Sequence, residues 1–180
     1  MEFEIHILAG GKSSRMGQDK GLMEYKGIPM IQHIIDTCEK LDDSIKIITN
    51  NYAYKKFGKE IISDNFSSIG PIGGIQAGLN KSKEDHVLFL PCDVPHISFE
   101  VLDELESCAE EGVITIACDS VGLQPLIGFY PKSILPKIET HIKEEKYKIT
   151  HLFDSIPYKV VNFETAPSIN FKNINSEVDL

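Results

Sequence analysis

Short β-branched runs alternate along this chain with helix-length amphipathic segments, and that alternation restricts it to an α/β layer fold. Residues 3–8, 45–49, 60–63, 86–90, 113–118, 126–130 and 158–163 have the composition of strands. The run at 86–90 is apolar without interruption, as expected of a central strand covered on both faces. Between the strands, Pro29 opens a helix whose Met30, Ile31, Ile34, Ile35, Cys38 and Leu41 fall on one face at helical spacing. Further helices are expected around 53–57, behind a glycine-rich loop at 67–74, from the N-cap Ser98 to about Glu110, and at 134–146 and 149–154. No repeat or linker interrupts the pattern, so residues 1–180 are expected to form one domain.

In an open α/β sheet, ligands bind beyond the carboxyl ends of the strands. Gly10 and Gly11, Asn50 and Asn51, Asp64 and Asp93 each follow a strand, so several of them should converge on one crevice. The richest of these positions is Leu8-Ala-Gly-Gly-Lys-Ser-Ser-Arg-Met-Gly-Gln-Asp-Lys20. It holds Arg15, the one arginine among 18 basic residues. A guanidinium grips two phosphate oxygens at once, which an ammonium does not. Lys12, Arg15 and Lys20 would neutralise phosphate charge while the glycines let backbone N–H groups approach. A plain structural turn is the alternative. The segment is neither a Walker A loop, whose first glycine would fall on His6, nor a Gly-x-Gly-x-x-Gly fingerprint.

Asp93 ends the buried strand and is fenced by Pro91 and Pro95. A carboxylate there can hold Mg²⁺, which takes one or two protein carboxylates together with water and phosphate oxygens. The simpler role is a turn or helix cap. Asp64 lies in common turn chemistry, and Asn50-Asn51 either contacts a base edge or makes a turn. The histidines have no metal or triad spacing, and no nucleophilic elbow is present.

The net charge of −9 opposes nucleic acid and anionic membrane, and the short basic loop suits a small anion. With 42% hydrophobic and 25% charged residues, an ordinary globular chain is expected. Cys38, Cys92, Cys108 and Cys118 show no paired spacing, and the opening residues do not form a signal peptide. A reduced, cytoplasmic setting follows.

Taken with Gly70-Pro-Ile-Gly-Gly74, Pro91-Cys-Asp-Val-Pro95, Gln124-Pro-Leu126 and Asn173-Ile-Asn-Ser176, the first glycine segment resembles the molybdenum cofactor guanylyltransferases, a MobA-like nucleotidyltransferase family. The resemblance runs nearly end to end. It implies a three-layer, Rossmann-like fold with a mostly parallel sheet, of the nucleotide-diphospho-sugar transferase type. It implies attack of the molybdopterin phosphate on the α-phosphate of GTP, with release of pyrophosphate. On the same basis Leu8, Ala9, Gly10, Gly11 and Gly74 would border the nucleotide. Arg15 and Lys20 would hold its phosphates, Asp93 would carry Mg²⁺, and Asp64 with Asn50 or Asn51 would complete the GTP side. Gln124, Pro125, Asn173 and Asn175 would line the pterin side. The partners implied are GTP, molybdopterin and, in transient contact, molybdoenzymes or their chaperones. A cytidylyltransferase of the same cofactor, another small-molecule nucleotidyltransferase, and a binding module without turnover are the alternatives.

Overall fold

Six consecutive buried residues make β1 (Phe3–Leu8), the strand around which everything else is arranged. The computed structural model describes residues 1–10, 19–66 and 68–174. Gly11, Lys12, Arg15 and Asn175, singled out from the sequence, lie outside the described residues. Next come the short pair β2 (Glu24–Tyr25) and β3 (Ile28–Pro29), α1 (Met30–Cys38), β4 (Ile45–Ile48) and β5 (Glu60–Ile62). They are followed by α2 (Pro71–Lys81), β6 (His86–Pro91), α3 (Phe99–Cys108), β7 (Ile114–Cys118), β8 (Leu123–Pro131), α4 (Leu135–Lys143) and β9 (Tyr158–Asn162).

Seven strands form one sheet in the order β5-β4-β1-β6-β8-β7-β9. β5, β4, β1 and β6 run parallel, and β7 pairs parallel with β9. Only β8 runs against its neighbours. The ends of β1, β4, β5, β6, β7 and β9 and the start of β8 therefore share one edge.

Alternation along the strands divides the core into two layers. Ile5, Ile7, Ile47, Leu88 and Leu90 pack with Ile31, Ile34 and Ile35 of α1 and Val101, Leu102 and Leu105 of α3. On the opposite face Ile48, Val87, Phe89 and Tyr130 meet Ile72, Ile75 and Leu79 of α2 and Ile138 of α4. Each fully buried isoleucine or leucine contributes about 1.5–3 kcal/mol, which is why a run with no polar relief settles at the sheet centre.

The α2 face also buries charge. Glu4 of β1 accepts hydrogen bonds from His6 Nε2 at 2.8 Å, from Lys46 Nζ at 3.0 Å and from the Lys83 amide at 3.1 Å. Burial opposes ionisation of Glu4, but these donors outweigh it and hold the carboxyl down to about 2. Burial lowers the pKa of His6, whose Nδ1 has no hydrogen-bond partner among the described residues and faces Gly78 of α2.

Several boundaries differ from the sequence expectation. Pro29 is the N-cap of α1 and not its first helical residue. α2 begins at Pro71, so Gly73 and Gly74 belong to the helix and not to the loop before it. The expected helices at 53–57 and 149–154 are 3-10 turns. The β2–β3 hairpin was not foreseen; it turns on Lys26 and Gly27, both at positive φ, without the Asn-Gly or Asp-Gly that usually marks such a turn.

Two irregularities bear on the site. Along β7 and β8 the pairing jumps from Ile116↔Gly128 to Ala117↔Gln124, so residues 125–127 arch out of the ladder. Pro125, which has no N–H to give, lies in that bulge. The second is the end of α4. The Glu145 amide bonds to Ile142 O at 3.1 Å and the Lys146 amide to His141 O at 2.9 Å, a Schellman closure. Its left-handed position, usually glycine, is Glu145 at φ 57°, which costs roughly 1–2 kcal/mol. No helix among the described residues is long and apolar enough to cross a membrane.

Candidate active site

Because the parallel strands end on one edge, the residues that follow them meet there. Leu8, Gly10, Ile48, Asp64, Pro91, Cys92 and Asp93 line a cavity of about 480 Å³, in the range of small-molecule sites. Lys20, Gly70, Pro71 and Gly74 enclose it from the side of the glycine loop and α2. Of the residues expected from sequence, Leu8, Gly10, Lys20, Asp64, Gly74 and Asp93 are thus brought together.

The charged centre of the site is a pair. Lys20 Nζ stands 3.2 Å from Asp93 Oδ2, and both side chains are partly open to solvent. Lys20 reaches this point because the residue before it is anchored. Asp19 accepts hydrogen bonds from Asn51 Nδ2 at 3.0 Å and from the hydroxyl of Tyr54, a fully buried ring. Burial, together with the hydrogen-bonded Asp19 carboxylate, pushes the Tyr54 phenol far above its ordinary range, so it remains a donor. Gly21 packs directly on this anchor. A Cβ there would collide with the Tyr54 hydroxyl and stand 3.2 Å from Cys92 Cβ.

On the opposite wall, α2 points its N-terminus at the cavity from the Gly70 N-cap. Its first turn carries no acidic residue and, among the described residues, no side-chain cap bonds to it, which leaves the positive end of the helix to a ligand oxygen. A Cβ on Gly74 would come within 2.7 Å of Leu8 Cδ2, so glycine lets helix and strand end close together here. Burial raises the Asp64 pKa, partly offset by the Phe66 amide bonded to its Oδ1 at 2.7 Å.

Other expected residues serve the site from behind. Asn50 bridges β4 to the chain after β5, donating to Asp64 O at 2.7 Å and accepting from the Asp64 amide at 3.1 Å. Asn51 caps the 3-10 turn through the Ala53 amide and holds Asp19. Ala9 is buried, its amide bonded to Ile48 O at 2.9 Å. Gln124 donates to Asp119 Oδ1 at 3.2 Å, and the carbonyl of Pro125 accepts from Tyr130 at 2.6 Å. Asn173 is exposed beside Ile174, whose amide donates to the Asp93 carbonyl at 2.9 Å. None of these lines the cavity itself.

Two lining residues had no role assigned from the sequence, Leu126, the last residue of the Gln124-Pro-Leu126 motif, and Tyr147; nor had the anchoring pair Asp19 and Tyr54. Asp19 stood in the glycine segment as an unassigned carboxylate. Tyr147 had no motif around it.

As for a metal, no cluster of three or more His, Cys, Asp or Glu side chains among the described residues could hold one unaided. The Asp93 carboxylate, at a strand end in the cavity with a lysine beside it, fits a divalent ion that arrives with phosphate oxygens and keeps its own water.

Comparison with known proteins agrees with this layout. The family model described as the MobA-like NTP transferase domain matches residues 5–157. A molybdenum cofactor guanylyltransferase of Vibrio atlanticus is 39% identical, covering 97% of this chain and 91% of its own. Its counterpart in Vibrio cholerae is 37% identical over 97% of this chain and 87% of its own. Among solved structures, a protein of Aquifex aeolicus superposes with a TM-score of 0.84 at 28% identity, covering 97% and 94% of the two chains. Molybdopterin-guanine dinucleotide biosynthesis protein A from Archaeoglobus fulgidus shares the fold with a TM-score of 0.78 at 21% identity, over 98% and 94%. A three-layer sheet with its strand ends gathered around Lys20 and Asp93, matched over most of its length by these relatives, belongs to the MobA-like NTP transferase family.

Proposed function

We propose that this chain transfers GMP from GTP to the phosphate of molybdopterin, releasing pyrophosphate and forming the guanine dinucleotide of the cofactor. The observation that carries it is the Lys20–Asp93 pair at the edge of a cavity that also receives the N-terminus of α2. The names of the relatives support the choice of substrates. The whole chain acts as one domain, in the cytoplasm.

In this reading GTP lies along Leu8, Gly10 and Gly74, with its guanine toward Asp64 and the turn that Asn50 fastens. Lys20 leaves Asp93 and pairs with the triphosphate, where it and Arg15 offset the charge that builds on the departing pyrophosphate. Asp93 is then free to hold a divalent ion. Mg²⁺, when bound, would supply charge neutralisation at the α-phosphate. The acceptor phosphate is already ionised at neutral pH, so no side chain need remove a proton from it. Catalysis rests on placing two anions in line and neutralising them, which is what phosphoryl-type transfer chiefly requires.

The test is direct. Purified protein, Mg²⁺, GTP and molybdopterin should yield the dinucleotide by mass, with CTP in place of GTP yielding little. Asp93→Asn should lower kcat by about a hundredfold or more, the usual cost of removing a group that stabilises transition-state charge. Its stability should change by less than about 1 kcal/mol, because the Lys20 pair is partly solvated. Wild-type turnover in Asp93→Asn, or product formed equally well in excess chelator, overturns the proposal.

A further inference from the structure

One wall of the cavity is formed by Leu126 and Tyr147, both partly buried against the α2–α4 core layer. Neither arrives there by regular backbone. Leu126 lies in the bulge at residues 125–127, where β8 leaves its register with β7. Bulges recur beside active sites because they re-aim a side chain. Tyr147 follows the Schellman closure of α4, in which Glu145 occupies the left-handed region without being glycine. Backbone held in a costly conformation persists where the surroundings over-determine it, and such positions gather at functional sites.

Tyr147 is also fixed from its other side. Lys148 is the N-cap of the 3-10 turn Ile149–Asp154, whose Ile149 and Leu152 are buried in the same core layer. The backbone is therefore anchored before and after Tyr147, and Leu126 lines the same cavity and packs on the same core layer. A rigid aromatic beside an aliphatic surface, opening into a cavity, suits the face of a flat heterocycle.

Position decides which heterocycle. The sheet order puts β1, β4 and β5 on one side of Asp93 and β8 on the other. Leu8 and Ile48 end β1 and β4, and Asp64 follows β5; Leu126 is on β8 and Tyr147 follows α4. The nucleotide in the reading above occupies the first side. We infer that Tyr147, backed by Leu126, is the binding platform for the fused heteroaromatic ring of the second substrate, the acceptor, and so a determinant of acceptor specificity. The inference rests on the proposed transfer for the identity of that ring as a pterin.

Steady-state kinetics with both substrates varied, on Tyr147→Ala, Tyr147→Leu and Tyr147→Phe, test it. Loss of stacking raises KM for the acceptor by about tenfold in Tyr147→Ala, while KM for GTP stays within about twofold. Tyr147→Phe keeps the flat face and behaves as wild type. Tyr147→Leu keeps apolar bulk without the face, and it serves if the alanine variant folds poorly; it also loses acceptor affinity. A rise in KM for GTP instead, or no change in either constant, overturns the inference. Fluorescence titration of an oxidised pterin phosphate against the protein without GTP gives a second readout. Weakened binding in Tyr147→Ala supports the platform, and equal binding by all four proteins refutes it. If the wild type makes no dinucleotide, the transfer reading fails, and the titration still decides the role of Tyr147.

Discussion

Replacing Glu4 by glutamine should make the protein less stable at neutral pH and remove much of its acid sensitivity. The carboxyl is 4% exposed and takes hydrogen bonds from His6, Lys46 and the Lys83 amide. Its pKa stands at about 2, against an ordinary 4.5. At about 1.4 kcal/mol per tenfold, that depression corresponds to on the order of 3 kcal/mol of folding stability. A depressed carboxyl contributes fully above the unfolded value, so the contribution is present from pH 4.5 upward and is lost as pH falls toward 2. By pH 3 about three fifths of it should be gone. His6 acts in the same direction from a higher starting point. Its lowered pKa means the unfolded chain takes up a proton below about pH 6.5 that the folded chain resists. Chemical denaturation of wild type and Glu4→Gln at pH 7 and pH 3 measures the gap between them. It should shrink from about 3 to about 1 kcal/mol. A gap that stays constant between the two pH values would show that an ionised Glu4 is not the source of the stability, and the argument would fail.

Two further changes probe the anchor beneath Lys20. Gly21→Ala forces a methyl group into the Tyr54 hydroxyl and against Cys92, so it should cost about 1–3 kcal/mol and lower turnover, measured by thermal melting and initial rates. Tyr54→Phe removes the buried hydroxyl that Asp19 accepts from, for about 1–3 kcal/mol by denaturation, and should reduce kcat more than KM for GTP by letting Lys20 drift from Asp93.

The strands were legible because most are doubly covered, and an apolar run without polar relief has few other places to go. The gathering of Gly10, Asp64 and Asp93 was legible for a related reason. Parallel strands end on one edge, so residues just past those ends are neighbours however far apart in sequence. What stayed hidden depends on tertiary partners. The role of Asn51 follows from where Asp19 sits, and no local pattern encodes that. The helical start at Pro71 was obscured because three glycines in five residues look like a loop; Gly70 is in fact the N-cap, while Gly73 and Gly74 lie in the helix, where Gly74 packs against Leu8 and Ile48. Leu126 and Tyr147 come to the cavity through a bulge and a left-handed glutamate, and neither irregularity leaves a composition signal.

The hydrogen bond from the Ile174 amide to the Asp93 carbonyl also matters for anyone handling the protein. Ile174 packs with Tyr25 and Met30 while gripping the rear of the peptide that presents the carboxylate. Fusions or trimming near that residue would disturb the Asp93 turn from behind. The same amide offers spectroscopists an observation post on Asp93 that leaves the cavity untouched.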